Sequence, residues 1–288
     1  MKPNRRFGRF AVTVSMALLW AFPFTATAEE RLAYNAEYKG PVSVYAWIGM
    51  GSAWVTTRDT PCPSADPCQV TELWMSSEGK STLESLYPTR YLYRTAYSLE
   101  KGDTLAYEKR RKKRKVEDAA EYQWKHRVVW LDRTGGSGTR FDLAYAGDPL
   151  PEAAAAWIDS SVATAGALKS KKNRKLERAR PSMDRWAIFQ YLRTLDLSAE
   201  KEFRFDGVNS KGPLDIRVTV EGREELEAAG ETWSTYRLRI LEQSAREDKK
   251  AEPLYAWIAD DARRTPVRFE MSHDIGRIRL TLKSPGDP

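Results

Sequence analysis

Between residues 32 and 57, apolar, β-branched and aromatic side chains alternate with polar ones or gather in short blocks at 32–38, 42–45 and 53–56. Gly40-Pro41 and Gly49-Met50-Gly51 punctuate these blocks. Neighbours on a strand point to opposite faces, so a period of two demands a sheet with a buried face and does not suit a helical bundle. The same texture runs through 70–76, 91–99, 104–107, 121–124 and 127–132. It returns after residue 198 at 202–205, 214–221, 232–243, 254–259, 265–271 and 275–283. Asn209-Ser210-Lys211-Gly212, Ala229-Gly230 and Asp260-Asp261 supply turn chemistry between these later blocks.

Only the middle of the chain departs from this pattern. Glu152-Ala153-Ala154-Ala155-Ala156-Trp157-Ile158 favours a short helix. Pro181-Ser182 then opens a stronger one, with Trp186, Phe189, Tyr191, Leu192 and Leu195 at helical spacing, Ser182 as N-cap and Asp184 complementing the dipole from the first turn. Strands on both sides of a helical insertion near 150–197 predict a mainly β (α+β) fold. The expected form is a large curved antiparallel sheet or half-barrel packed around one amphipathic helix, within a single β-rich domain over 29–288.

Residues 1–28 have the form of an export signal: Lys2, Arg5, Arg6 and Arg9 without an acid, an apolar stretch over 10–24, and Ala26-Thr27-Ala28 as a small-residue cleavage site. Maturation at Glu29 and a soluble periplasmic protein with no later transmembrane span follow as the expectation. The 47 Lys plus Arg, less the tag's four, leave 43 against 40 Asp plus Glu, a net of +3. Global charge is therefore a weak clue. Cys62 and Cys68, the chain's two cysteines, bracket a Pro-rich loop, and in an oxidising compartment they read as a local disulfide.

Positive charge is clustered. Lys109, Arg110, Arg111, Lys112, Lys113, Arg114 and Lys115 are seven consecutive cations, and Lys169, Lys171, Lys172, Arg174 and Lys175 form a second group. Inside a cell such runs point to nucleic acid, but export removes that partner. Beyond the inner membrane the fitting partners are an envelope lipid, glycan or protein with anionic groups. If the first run is a strand, its alternate cations face opposite sides of the sheet, which also protects an edge from aggregation. The plainer reading is a solvated arm.

Catalytic and metal chemistry find little support. His126 and His273 are the only histidines and form no ligand-spaced pattern. His273-Asp274 are strand neighbours whose side chains diverge, and no Gly-x-Ser-x-Gly elbow is present. Gly135-Gly136-Ser137-Gly138 lacks the Lys-Ser/Thr ending of a phosphate-binding loop. Glu29-Glu30, Glu224-Glu225 and Asp260-Asp261 read as solvated or turn carboxylates. No metal, cofactor or catalytic residue is expected.

Several elements of the second half act as a set: Asp184 with Tyr191-Leu192-Arg193; residues 218–224 with Gly230; Trp257, Asp260, Asp261, Arg264, Pro266 and Arg268; and Asp274-Ile275-Gly276-Arg277-Ile278. With the opening Leu32-Ala33-Tyr34 strand, this set resembles the exported bacterial proteins grouped as domain of unknown function 3108. The resemblance implies secretion and a β-rich fold, and brings no activity or catalytic residues. The expected function is a non-enzymatic periplasmic binding or envelope-maintenance protein holding an apolar or anionic envelope ligand. Two alternatives are a scaffold binding a protein or acidic polysaccharide through the basic clusters, and an envelope hydrolase using His273.

Overall fold

In the computed structural model the described residues are 29–61, 67–79, 89–114, 122–131, 137–146, 173–177, 181–244, 252–273 and 276–285. The strand texture is realised in two meanders. The first comprises β1 (Glu29–Lys39), β2 (Ile48–Pro61), β3 (Pro67–Ser76), β4 (Arg90–Ser98), β5 (Asp103–Arg114), β6 (Tyr122–Leu131), β7 (Ser137–Ala146) and β8 (Asn173–Glu177). A helix, α1 (Arg185–Leu192), separates it from β9 (Glu202–Asn209), β10 (Gly212–Ala228), β11 (Glu231–Ser244), β12 (Leu254–Ala259), β13 (Pro266–His273) and β14 (Gly276–Pro285). All neighbours pair antiparallel, and β1 against β14 joins the meanders into one open sheet of fourteen strands, with β8 and β9 at its edges.

The alternation assigns the two faces. On β1 the even residues Leu32, Tyr34, Ala36 and Tyr38 are buried toward α1, while Arg31 and Asn35 face solvent. Val55, Leu73 and Tyr93 continue the inner face across β2, β3 and β4, and Phe269 and Leu280 do so from the other meander. The helix is buried on most of its circumference: Trp186, Ala187, Ile188, Phe189, Gln190 and Leu192 are all enclosed, a wider contact than one apolar stripe. Phe269 sits 4.9 Å from Phe189, 5.6 Å from Trp186 and 5.9 Å from Tyr34 between ring centroids. Full burial of such a side chain contributes about 1.5–3 kcal/mol, so this aromatic cluster is the main glue between helix and sheet.

Two local expectations change. The helix N-cap is Asp184, whose carboxylate accepts from Trp186 N; Ser182 instead joins β5 through its backbone, its carbonyl accepting from Thr104 N at 2.9 Å. Residues 42–45 are not a strand: Pro41–Ser43 forms a 3-10 turn, and Val44 and Tyr45 are left-handed. Fixed φ at Pro41 after an extended Gly40 favours this turn over pairing. Residues 173–177, read as part of a basic cluster, form β8 against β7. The Ala-rich segment at 152–158 lies outside the described residues.

The outer face of β4 and β5 is also buried at Arg94, Glu108 and Arg110, with the half-exposed Glu72 of β3 at its margin. Arg94 donates from Nε and Nη2 to Glu72 at 2.8 and 2.5 Å, and its Nη1 lies 3.6 Å from Glu108. Glu108 in turn holds Arg110 at 3.2 Å. Alternating charges let these buried ions neutralise one another, whereas removing one partner of such a pair costs about 3–5 kcal/mol.

Candidate binding cleft

Both ends of α1 are tied to the sheet by one charged side chain. At the N-terminal end the Asp184 carboxylate accepts hydrogen bonds from Tyr93 Oη at 2.8 Å, Thr95 Oγ1 at 2.5 Å, Thr104 Oγ1 at 2.8 Å and Trp186 N at 3.0 Å. Next to it, Met183 N donates to Asp206 O and Val208 N to Met183 O, both at 3.0 Å. Residues 182–184 therefore stitch the start of β5 to the free edge of β9, which shields part of that edge. Solvent does not reach the Asp184 carboxylate, which is 1% exposed.

The C-terminal end is built differently. Arg193 lays a two-pronged contact on Glu30 of β1, Nη1 to Oε2 at 2.6 Å and Nη2 to Oε1 at 2.7 Å. The same guanidinium donates to Gln190 Oε1 at 2.8 Å, to the carbonyl of Arg264 at 3.1 Å and to that of Arg263 at 3.0 Å. A planar fork with five donors suits this simultaneous contact with helix, β1 and the β12–β13 turn. Burial lowers the guanidinium's hold on its proton, but Glu30 more than restores it, so the net shift is upward.

Here the interior opens into a cleft of about 330 Å³ lined by Glu30, Thr57, Arg58, Asp59, Gln69, Leu99, Gln190, Arg193, Thr194 and Arg263. Its wall is one continuous hydrogen-bond chain. Gln190 Nε2 donates to Thr57 Oγ1 at 3.2 Å; Thr57 and Thr71 hydroxyls meet at 3.0 Å, and Thr71 and Tyr97 at 2.9 Å. Tyr97 Oη then donates to Gln69 Oε1 at 3.1 Å, and Gln69 Nε2 to Asp59 at 2.9 Å. Burial pushes the Tyr97 phenol above its ordinary range despite the bond to Thr71. Such a network fixes side-chain positions ahead of any ligand, so binding there would require little reordering.

The residues singled out in the sequence fall into three places. Asp184 and Arg193 are the two helix anchors, and Tyr191 meets Phe205 edge-on at 5.8 Å. Asp261 caps the β12–β13 turn by accepting from Thr265 N at 3.0 Å and Thr265 Oγ1 at 2.9 Å. Arg264, left-handed in that turn, holds Asp260 at 2.6 Å, and Pro266 offers its carbonyl to Tyr34 Oη at 2.9 Å. Trp257 donates to Glu224 and carries the Arg268 guanidinium over its ring at 5.8 Å. At Gly276, φ is +142° and a Cβ would lie 2.4 Å from the Lys39 carbonyl, so only glycine fits. This set holds the fold, and Arg193 alone of it also lines the cleft.

The basic run occupies β5 through Arg114. Lys109 points inward, its Nζ 5.1 Å from the Tyr93 ring and 5.7 Å from the Tyr107 ring; Arg110 is buried against Glu108; Arg111 is exposed. For Lys112, Lys113 and Arg114 the strand register is described, opposite Trp124, Gln123 and Tyr122 of β6, and Lys115 lies outside the described residues. Arg174 and Lys175 are in β8, while Lys171 and Lys172 lie outside the described residues. Cys68 is buried beside the end of β2, no described cysteine is free, and Cys62 lies outside the described residues. His126 and His273 sit on β6 and β13, seven places apart in the sheet. Among the described residues no three potential ligands gather as a metal site, and no helix is long and apolar enough to cross a membrane.

Thr57, Arg58, Asp59, Gln69, Gln190 and Thr194 carry no sequence signal for the cleft. They are ordinary polar residues on three separate segments, and Glu30 read only as half of a solvated pair.

Against known proteins, residues 42–283 match the family described as "Protein of unknown function (DUF3108)". No curated protein matches. Among solved structures the chain is similar to a β-barrel-like protein of domain of unknown function DUF1849 from Brucella abortus, at 8% identity and a TM-score of 0.49, over 88% of this chain and 95% of that one.

Proposed function

This chain belongs to the DUF3108 family of proteins of unknown function, and from that premise we propose that it is a non-enzymatic periplasmic binding protein that holds an anionic, hydroxylated envelope ligand in the Arg193 cleft. The observation that carries the reading is the pre-ordered polar wall around an open cleft of about 330 Å³. Its two carboxylates already have partners, Glu30 in Arg193 and Asp59 in Gln69, so Arg263 supplies positive charge for an acidic group, while Arg58, opposite Glu29 and Val70 in the register, belongs to the other face of β2. The threonine hydroxyls and glutamine amides suit sugar-like hydroxyls, which both donate and accept. The aromatic packing between helix and sheet favours this polar ligand over an apolar one in the interior.

In this reading residues 1–28 are removed on export. Cys62 and Cys68 then close a disulfide at the β2–β3 tip, immediately beyond Asp59 and Gln69 on the cleft rim. Pairing of Thr60 with Cys68 and of Pro61 with Pro67 supports it, because it leaves Cys62 next to the last paired position.

Calorimetric titration of the mature protein with glucuronate oligosaccharides and with glycerol phosphate tests the proposal. Saturable binding is expected to weaken at least about tenfold when Arg263 is replaced by Ala, since a charge-assisted hydrogen bond is lost. Absence of binding to both probes, or equal binding by the Arg263→Ala variant, overturns it.

A further inference from the structure

Val44 and Tyr45 are 86% and 66% exposed, the large hydrophobic side chains left in solvent among the described residues. Both lie at the tip of the β1–β2 connection, and both are left-handed, with φ of 50° and 59°. Two successive non-glycine residues in that region carry backbone strain, and a β-branched residue such as Val44 carries the most. The loop is nevertheless tightly bonded. Ser43 N and Tyr45 N donate to Gly40 O at 3.0 and 2.9 Å, Val44 N to Pro41 O at 3.1 Å, and Ala46 N to Ser43 O at 2.9 Å. The Ser43 hydroxyl closes the ring, accepting from Gly40 N and donating to Gly40 O, each at 3.0 Å. The strain therefore holds two apolar side chains outward on a stiff support.

Behind this tip stands an interfacial aromatic with cations. The half-buried Trp47 ring has the Arg279 guanidinium 4.0 Å from its centre and Lys39 Nζ at 5.9 Å. Arg279 is itself anchored to Glu37 at 2.8 Å. Exposed Arg277 pairs across β1 with Lys39, which adds a further positive charge at the same end of the sheet. Val44 and Tyr45 at the tip, Trp47 at the next level and basic groups behind it match the order of layers in an anionic bilayer surface: acyl boundary, headgroup zone, phosphates.

We infer that the Val44–Tyr45 loop is a membrane-docking wedge that seats this end of the sheet on a bilayer bearing anionic phospholipid headgroups. Nine residues of β1 separate Lys39 from Glu30, about 30 Å at strand rise, so docking here leaves the Arg193 cleft at the far end facing away from the membrane. The inference stands on the loop and its cations and does not depend on the cleft holding a ligand.

Flotation of the mature full chain with phosphatidylglycerol–phosphatidylethanolamine vesicles, against pure phosphatidylcholine vesicles, tests it. Binding is expected only to the anionic vesicles. The double variant Val44→Asn/Tyr45→Asn is the main probe, because Asn tolerates the left-handed backbone. Partitioning should drop at least about tenfold with the unfolding midpoint unchanged or raised by the relieved strain. Lys39→Ser/Arg277→Ser should lower it about thirtyfold through the lost attraction of two charges near the surface. No flotation of the wild type, equal flotation on phosphatidylcholine, or undiminished flotation of the Asn variant would each overturn the wedge. So would a loop that captures a protein while the chain leaves vesicles untouched.

Discussion

The two ends of the single helix solve one problem in opposite ways. At its start, Asp184 is an acceptor surrounded by hydroxyls and backbone amide in a dry interior. At its end, Arg193 is a donor that satisfies Glu30, Gln190 and two turn carbonyls beside open water. A sealed anchor contributes stability and nothing else. An anchor at a cleft keeps the helix in place and also orders polar groups that a ligand can reach, so the molecule's rigidity and its candidate site share one residue.

The contrast breaks most directly by removing each anchor. Asp184→Ala strands three buried hydroxyl donors and uncaps the helix, at about 1–3 kcal/mol per stranded group and about 1 kcal/mol for the cap, for a total of at least about 4 kcal/mol. Arg193→Ala should cost about 2 kcal/mol, because Glu30 and the carbonyls it leaves behind can be hydrated from the cleft. Urea unfolding of both variants checks the order; equal losses would mean that the ends are equally sealed.

Alkaline titration sharpens the same comparison from the side of the tyrosines. Burial raises the phenols of Tyr34 and Tyr93, with Asp184 adding to the effect at Tyr93, and pushes Tyr91 up to about 12. A phenol raised in the folded state stabilises fully below its unfolded value near 10, and that contribution is lost as pH climbs through the folded value. Stability should hold to about pH 10 and then decline, with phenolate absorbance from these residues arising together with unfolding. Phenolate appearing in the intact fold near pH 10 would show that the interior is wet.

The smallest effect concerns the rim at the helix start, where Arg185 grips Glu242 at 2.5 Å. Burial raises the Glu242 carboxyl, but Arg185 outweighs it and the net shift is downward. This contribution is present above the unfolded carboxylate value near 4.3 and fades as pH falls through the lower folded value. With the Arg185 side chain 43% exposed, Glu242→Gln should cost about 1 kcal/mol at neutral pH, and the gap to wild type should close toward about pH 3 in thermal melts.

Reading success followed the range of the interactions involved. The strand blocks after residue 198, the turn at Asp260-Asp261 and the strand start at Pro266 were legible because alternation and turn chemistry are local. The stretch at 42–45 misled because its β-branched and aromatic composition is that of a strand, while Gly40-Pro41 and the bonds to Gly40 O decide otherwise. The run of cations read as a solvated arm or as a strand with cations on alternate faces; in β5 Lys109 meets Tyr93 on one face and Arg110 meets Glu108 on the other, while Arg111, on the face of Lys109, is exposed. Charge alone does not reveal which cations meet an internal partner.

The amino-acid order by itself determined the period-two strands, their turns and the helix that interrupts them, since each depends on neighbours a few residues apart. Only the tertiary structure decided that Arg193 meets Glu30, 163 residues away in the chain, that Gln190 reaches Thr57 across 133, and that Val44 and Tyr45 stand in solvent. Backbone preference is a short-range property; a cleft is assembled from segments that become neighbours only when β1 pairs with β14 and the open sheet packs on its helix.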